Sequence, residues 1–199
     1  MKRLFITLLL IICNFLFSQN YHFDLAVKYS VENTKTENKY LGTYFFNTKN
    51  WMYNLKIIKS DEKMIALIID YEKHIEIAFD CEELSNKQIG NFKYNNTYSF
   101  SGPENNRKFS INRINESNAN IKLYFTRKAK KPYCDYNLVF STSNINLFPV
   151  FKFQMIDHPE IFNDLDFNEN IAVIEAYIGE YLHYKLLETK DVNLDLSAP

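Results

Sequence analysis

The segment 164–175 presents carboxylate and amide oxygens at a spacing that suits a metal ion. Asp164, Asp166 and Asn168 occupy alternate positions, and Glu175 follows further along the chain. Calcium binds several hard oxygen ligands that converge from one short loop. The spacing therefore predicts a calcium site formed by Asp164, Asp166, Asn168 and Glu175.

The same twelve residues resemble the EF-hand calcium loop, with Ile171 at loop position eight and Glu175 at position twelve. The match departs at Glu169, because that loop has glycine there to make a sharp left-handed turn. Pro159 also lies where the entering helix would run. The alternative interpretation is a solvated acidic loop in a chain rich in Asn and Asp.

The other reactive side chains form no recognisable catalytic motif. The chain has no Gly-x-Ser-x-Gly elbow and no glycine-rich phosphate loop. Asp24, Glu76 and Glu175 could supply an acid–base pair only if the fold brought two of them together. No two histidines have the close spacing that places two imidazoles on one metal; the four are His22, His74, His158 and His183. We therefore expect neither an enzyme nor a cofactor.

The N-terminal residues have the pattern of a secretory signal peptide. Lys2 and Arg3 precede an apolar run that is too short to span a bilayer as a helix, and Ser18 is a small residue before polar sequence. We expect residues 1–18 to be removed on export to the periplasm or the medium, and residues 19–199 to form one domain without a transmembrane segment.

Two cysteines, Cys81 and Cys134, follow this leader. In an oxidising compartment two cysteines are a candidate disulfide. We expect Cys81 and Cys134 to be bonded, and the alternative is two buried free thiols.

The charges are balanced, with 23 basic and 24 acidic residues and a formal net charge of -1. No overall field therefore attracts nucleic acid. The run 127–131 is the one basic cluster; it could contact phosphates or anionic headgroups, or it could keep a turn soluble.

Apolar and polar residues alternate along most of the chain, which predicts strands with one face on a core. Between residues 22 and 31 every odd position is apolar, and nearly every even one is polar. Short segments of this kind, separated by polar turns, are typical of an antiparallel meander. We expect an all-β fold with a single large antiparallel sheet, curved into a half-barrel or a sandwich, and at most one or two short helices. The segments are 22–31, 40–46, 51–58, 63–70, 74–80, 92–100, 108–114, 120–127, 133–141 and 150–156.

The segment 171–187 fits a helix or a hairpin. Its apolar residues lie near helical spacing, but Gly179 in the middle would destabilise a helix by about 1 kcal/mol relative to alanine. A glycine suits a turn, so we expect a hairpin with its turn at Gly179 and Glu180.

The junction 16–20, the asparagine-rich strands and the C-terminal segment 192–196 resemble small secreted β proteins of the Bacteroidota, a group that includes relatives of the GLPGLI family. The name-giving motif is absent, and only the segment 147–150 is loosely similar to it. The resemblance implies a curved sheet like that of the periplasmic lipoprotein carriers LolA and LolB.

These observations favour a non-enzymatic binding or carrier module. A curved sheet lined by aromatic and aliphatic side chains can hold an apolar ligand or the apolar segment of an envelope protein. The alternative is a surface-interaction protein with a filled core, and a secreted hydrolase is the third possibility.

Overall fold

A computed structural model describes residues 19–59, 63–84, 89–102, 107–162 and 164–199. The expected leader, residues 1–18, lies outside the described residues. The described chain forms eleven strands, one α-helix (α1, Phe148–Met155) and one 3-10 turn (Pro159–Phe162). The strands are β1 Gln19–Asn33, β2 Asn38–Asn47, β3 Asn50–Lys59, β4 Met64–Asp70, β5 Ile75–Glu83, β6 Ile89–Ser99, β7 Lys108–Arg113, β8 Asn118–Tyr124, β9 Cys134–Thr142, β10 Ile171–Ile178 and β11 Leu182–Ala198.

All eleven strands belong to one antiparallel sheet that does not close into a barrel. Strands β1 to β6 follow one another in sequence order, and so do β7 to β11. The pairing of β1 with β11 joins the two halves and leaves β6 and β7 as the two edges. The expected all-β fold with one antiparallel sheet is confirmed.

The chain connection between the two edges forces the sheet to curve. Eleven flat strands at a spacing of roughly 4.8 Å would place the edge strands about 48 Å apart. Only the residues between Ser99 and Lys108 connect β6 to β7, and an extended chain of that length spans roughly 30 Å. The sheet must therefore curl until the ends of its edges approach each other.

Helix α1 lies on the concave side of this curl. The Phe151 ring contacts Tyr136 on β9 at 5.8 Å between ring centroids, and the Phe153 ring contacts Tyr71, just after β4, at 5.1 Å. Strands β9 and β4 are six places apart in the sheet. Phe151 and Phe153, two positions apart in one short helix, reach both strands only if the sheet wraps around the helix.

The sheet is apolar on both faces in its centre, and two hydrophobic cores lie on opposite faces. On β2, Tyr44 and Phe46 pack in the core under α1, whereas Phe45 between them packs on the other side. We call the first side the helix face. The opposite core covers the other face of β3, β4 and β5, with Leu55, Ile68 and further residues buried in it.

The second core is covered by an extension of the two longest strands. Residues 19–23 of β1 continue beyond the end of β2 while they still pair with 194–198 of β11. We call these paired segments the ribbon. Its Tyr21 and Phe23 rings pack edge-on against Tyr53 of β3, at centroid distances of 5.1 and 5.6 Å. The Tyr21 hydroxyl also donates a hydrogen bond to the buried Asp70 carboxylate at 2.9 Å.

The expected strand over 150–156 is wrong, because this segment forms α1. Pro149 stands at the start of the helix, where its missing N–H is no loss. The helix is buried on nearly all sides, including Phe148, Phe151 and Lys152. A helix without a polar face has no amphipathic period, so its sequence could not be distinguished from that of a buried strand.

The expected hairpin at the C-terminal end of the chain is confirmed. Strands β10 and β11 pair in antiparallel register from Glu175–Lys185 to Ile178–Leu182. Gly179 in the turn has φ +59°, the left-handed conformation that glycine adopts without strain.

Alanine substitutions of two glycines should separate backbone strain from overpacking. Gly179→Ala adds a methyl group in open space but strains the left-handed backbone, and should lower the free energy of unfolding by about 1 kcal/mol. Gly42→Ala places a methyl group into the buried ring of Tyr29, and should lower it by about 2 to 3 kcal/mol. Urea unfolding of both variants measures the difference, and equal effects would contradict the packing of Tyr29 on Gly42.

Candidate functional site

An open cleft of ≈ 500 Å³ lies at the C-terminal end of α1, on the helix face. One wall is the end of the helix and the loop that follows it. The other wall comes from β2, β4, β5 and the residues just after β6. The lining residues are Tyr44, Ile69, Tyr71, Glu76, Phe100, Ser101 and the segment 153–159.

Apolar side chains of β4 extend along the helix face beyond Ile69, which is the β4 residue that lines the cleft. Ala66 and Ile68 are fully buried on the ribbon side, so their neighbours Ile65, Leu67 and Ile69 face the opposite way, onto the helix face. These three side chains are only half-buried. A strand that is apolar on both faces is typical of a position covered on both sides, but α1 covers only one part of this face.

Polar groups are placed at the helix end of the cleft. The Gln154 side chain accepts a hydrogen bond from the Tyr184 hydroxyl at 3.1 Å, while its amide nitrogen is buried without a partner among the described residues. The His158 ring lies 3.3 Å from one carboxylate oxygen of Glu160. Glu160 is 8% exposed, and its other oxygen has no partner in the described part of the chain. Both walls of the cleft thus combine apolar and polar side chains, with Ile69 beside Glu76 on the strand side and Phe153 beside Gln154 on the helix side.

Tyr71 also lines the cleft. Burial, with the nearby charges of Glu160 and Glu76 adding to it, raises the pKa of the Tyr71 hydroxyl above its ordinary value. The hydroxyl therefore stays protonated at neutral pH and can act as a hydrogen-bond donor inside the cleft.

Lys152 on α1 is a buried cation behind the cleft. Its ammonium group donates a hydrogen bond to the Phe162 carbonyl at 2.6 Å, which ties the helix to the 3-10 turn. Burial lowers the pKa of Lys152 to about 8, although Asp166, Asp164 and Glu160 act in the opposite direction. Removal from water thus outweighs the three carboxylates.

The structure does not bring the four predicted calcium ligands together. Asp166 accepts hydrogen bonds from the Asn146 amide at 3.0 and 3.2 Å, and Glu175 on β10 lies 3.3 Å from the Lys185 ammonium group on β11. The left-handed residue is Asn168, with φ 54°, and not the neighbouring Glu169, which pairs with Arg113. Within the described ranges, no three His, Cys, Asp or Glu side chains form a group that could hold a metal ion.

The expected disulfide between Cys81 and Cys134 is wrong, because both are free thiols and no described pair is at disulfide distance. Cys81 lies in the core under the ribbon, and Cys134 packs against the core under α1. The two side chains therefore lie on opposite faces of the sheet.

The remaining reactive residues are placed apart. Asp24 on β1 accepts hydrogen bonds from the backbone and hydroxyl of Thr48, both at 2.8 Å, and fixes the turn after β2. Glu76 lies on β5 in the cleft, and Glu175 lies on β10. Of the four histidines, only His158 lines the cleft.

Sequence reasoning missed the cleft because it treated 150–156 as a strand. The one local signal for the helix was Pro149 followed by residues that can continue a helix. The polar residues of 154–160 could be connected with the β4 side chains only after the helix and the curl were known.

No protein-family model matches this chain, and its sequence matches none of the curated proteins. No helix in the described part of the chain is long and apolar enough to cross a membrane. The function is therefore inferred from the cleft and its surroundings.

The free thiols should be detectable chemically. In denaturant without reductant, iodoacetamide should modify both Cys81 and Cys134, and peptide mapping should recover both as alkylated peptides. In the native protein Cys81 should react more slowly than Cys134, because burial, with the Asp80 charge, raises the pKa of Cys81 to about 11. A linked Cys81–Cys134 peptide would contradict the assignment.

Lys152 should make stability depend on pH. Its pKa is about 8 in the folded chain and ordinarily 10.5, so between these values the unfolded chain binds the additional proton. The free energy of unfolding should therefore rise by about 2 kcal/mol from about pH 7 to about pH 9.5. Lys152→Met should lack this rise when both proteins are unfolded in urea. The same slope in both proteins would show that Lys152 is not the cause.

Proposed function

We propose that this protein is a non-enzymatic binding or carrier protein for an apolar ligand, and that the cleft beside α1 is the binding site. The observation that carries the proposal is the row of half-buried apolar side chains Ile65, Leu67 and Ile69 on the helix face of β4, of which Ile69 lines the cleft. A monomeric protein usually covers such a surface, and uncovered apolar patches commonly mark sites of binding.

The size and lining of the cleft fit a small ligand. Its volume of ≈ 500 Å³ falls in the range of roughly 300 to 1,000 Å³ that is common for ligand sites. Ile69, Phe100 and Phe153 supply apolar surface, while polar side chains, among them Glu76 and Gln154, supply at least as much of the lining. An apolar chain with one polar end fits this lining, because the chain would pack on Ile69, Phe100 and Phe153 while its polar end would meet the neighbouring polar side chains.

The proposed place of action is outside the cytoplasm, and it rests on the signal-like residues 1–18. The proposed relationship to the curved-sheet lipoprotein carriers stays a prediction.

An apolar fluorescent probe tests the site. The emission of 1-N-phenylnaphthylamine should increase on binding, and Ile69→Gln should weaken its affinity about tenfold, because a wall side chain loses its apolar contact with the probe. The matched control is Ile114→Gln, which changes an isoleucine that is 59% exposed, after β7 and outside the cleft lining. Thermal unfolding of both variants checks that they remain folded.

The proposal would be contradicted if the parent protein did not bind the probe. It would also be contradicted if Ile69→Gln and the parent bound the probe equally well. A loss of the same size in Ile114→Gln would show that the probe binds elsewhere.

The alternative function, a surface-interaction protein, is favoured by one observation at the sheet edge. Strand β6 is long and has no proline, carries Lys93 as its single charged residue, and exposes Tyr94 and Tyr98. Two register shifts interrupt its pairing with β5, and the remaining length of this edge can accept an extended strand from a partner. Two results together would favour this function over the binding of an apolar ligand: a partner protein that binds only when the β6 edge is intact, and no binding of the fluorescent probe.

A further inference from the structure

The end of the β8–β9 hairpin combines an exposed aromatic ring with a cluster of positive charges. Phe125 follows β8 and is 62% exposed. Arg127, Lys128, Lys130 and Lys131 follow within six residues, and all four are exposed. We call these five residues the basic tip.

The charges of the basic tip are not neutralised by the fold. Residues 107–134 hold eight lysines and arginines and one carboxylate, although the whole chain has a formal net charge of -1. Other basic residues of this segment have carboxylate partners, such as Arg113 with Glu169 and Lys122 with Asp135. Within the described part of the chain, the four basic residues of the tip have none.

Solubility alone explains the charges but not the ring beside them. Phe125 stacks on Tyr133 at 4.2 Å between ring centroids, and the Arg107 guanidinium lies 5.9 Å from the Phe125 centroid. These contacts hold the ring in place, although most of its surface is in solvent. An exposed aromatic ring held among lysines and arginines is the combination that favours the interface of an anionic membrane, where the ring enters the headgroup region and the cations meet phosphates.

The basic tip and the cleft lie at the same end of the sheet. Arg107, which contacts the Phe125 ring, lies 3.9 Å from the carboxylate of Asp157, and Asp157 lines the cleft. A surface that binds the tip therefore lies near the cleft opening.

We propose that the basic tip is a docking site for an anionic lipid surface. Arg127, Lys128, Lys130 and Lys131 contact the lipid phosphates, and Phe125 inserts at the level of the headgroups. This proposal does not depend on a ligand in the cleft, because the docking surface is complete without one.

Vesicle flotation of residues 19–199, the chain expected after removal of the leader, tests the proposal. The protein should float with vesicles of phosphatidylcholine mixed with phosphatidylglycerol and not with vesicles of phosphatidylcholine alone. Each basic residue near such a surface changes the partition coefficient about fivefold, so Lys128→Gln/Lys130→Gln/Lys131→Gln should lower it about 100-fold. Binding should also weaken in about 0.5 M salt, which screens exposed charges.

Two matched control variants separate the effect of the basic tip from the effects of overall charge and of exposed apolar side chains. Lys39→Gln/Lys49→Gln/Lys190→Gln removes three exposed lysines elsewhere and should leave vesicle binding nearly unchanged. Phe125→Ser keeps every charge and should still lower binding several-fold, whereas Leu41→Ser, at a residue that is 66% exposed on β2, should not.

Equal vesicle binding by the parent and the tip triple variant would overturn the proposal, as would equal losses in the two triple variants. A single-stranded oligonucleotide that binds the tip while Phe125→Ser floats like the parent would also overturn it, and would assign the tip to nucleic acid instead. The vesicle test and the test of the cleft can fail independently. Binding of 1-N-phenylnaphthylamine should require Ile69, whereas vesicle flotation should not.

Discussion

The structure depends on one constraint: a strand with apolar side chains at successive positions needs cover on both faces of its sheet. The centre of this sheet is made of such strands, as β2 shows with Tyr44 and Phe46 on one face and Phe45 between them on the other. Burial of these rings is the main favourable contribution to folding. A single open sheet cannot provide it alone, so the chain supplies α1 for one face and the ribbon for the other.

The two covers differ in how they fit the sheet, and this difference produces the cleft. The ribbon is a continuation of β1 and β11, and a register shift between Phe23 and Leu25 marks where it leaves the main sheet. Its rings pack over β3, β4 and β5. Helix α1 has only eight residues, so it fills the curl on one side and leaves Ile65, Leu67 and Ile69 half-buried.

Sequence patterns predicted the strands and the C-terminal hairpin, which depend on neighbouring residues. They missed the cleft and the positions of the cysteines, which depend on how distant segments meet. Side-chain alternation located most of the strands, and Gly179 correctly favoured a hairpin over a helix. Alternation assigns each residue to one of two faces within its strand, but it does not show which faces of distant strands coincide. The disulfide expected between Cys81 and Cys134 failed for this reason, and the cleft was missed because α1 has no amphipathic period.

The connection between the edge strands relates the cleft to the basic tip. Because the connection from Ser99 to Lys108 can span only roughly 30 Å, the two edges of the sheet must approach each other at one end of the curl. Phe100 from one edge therefore lines the cleft, while Arg107 at the other edge contacts both Asp157 in the cleft lining and the Phe125 ring. A flat sheet with the same strands would separate these groups by most of its width. The curvature that wraps the sheet around α1 thus also places the cleft and the basic tip at the same end of the sheet.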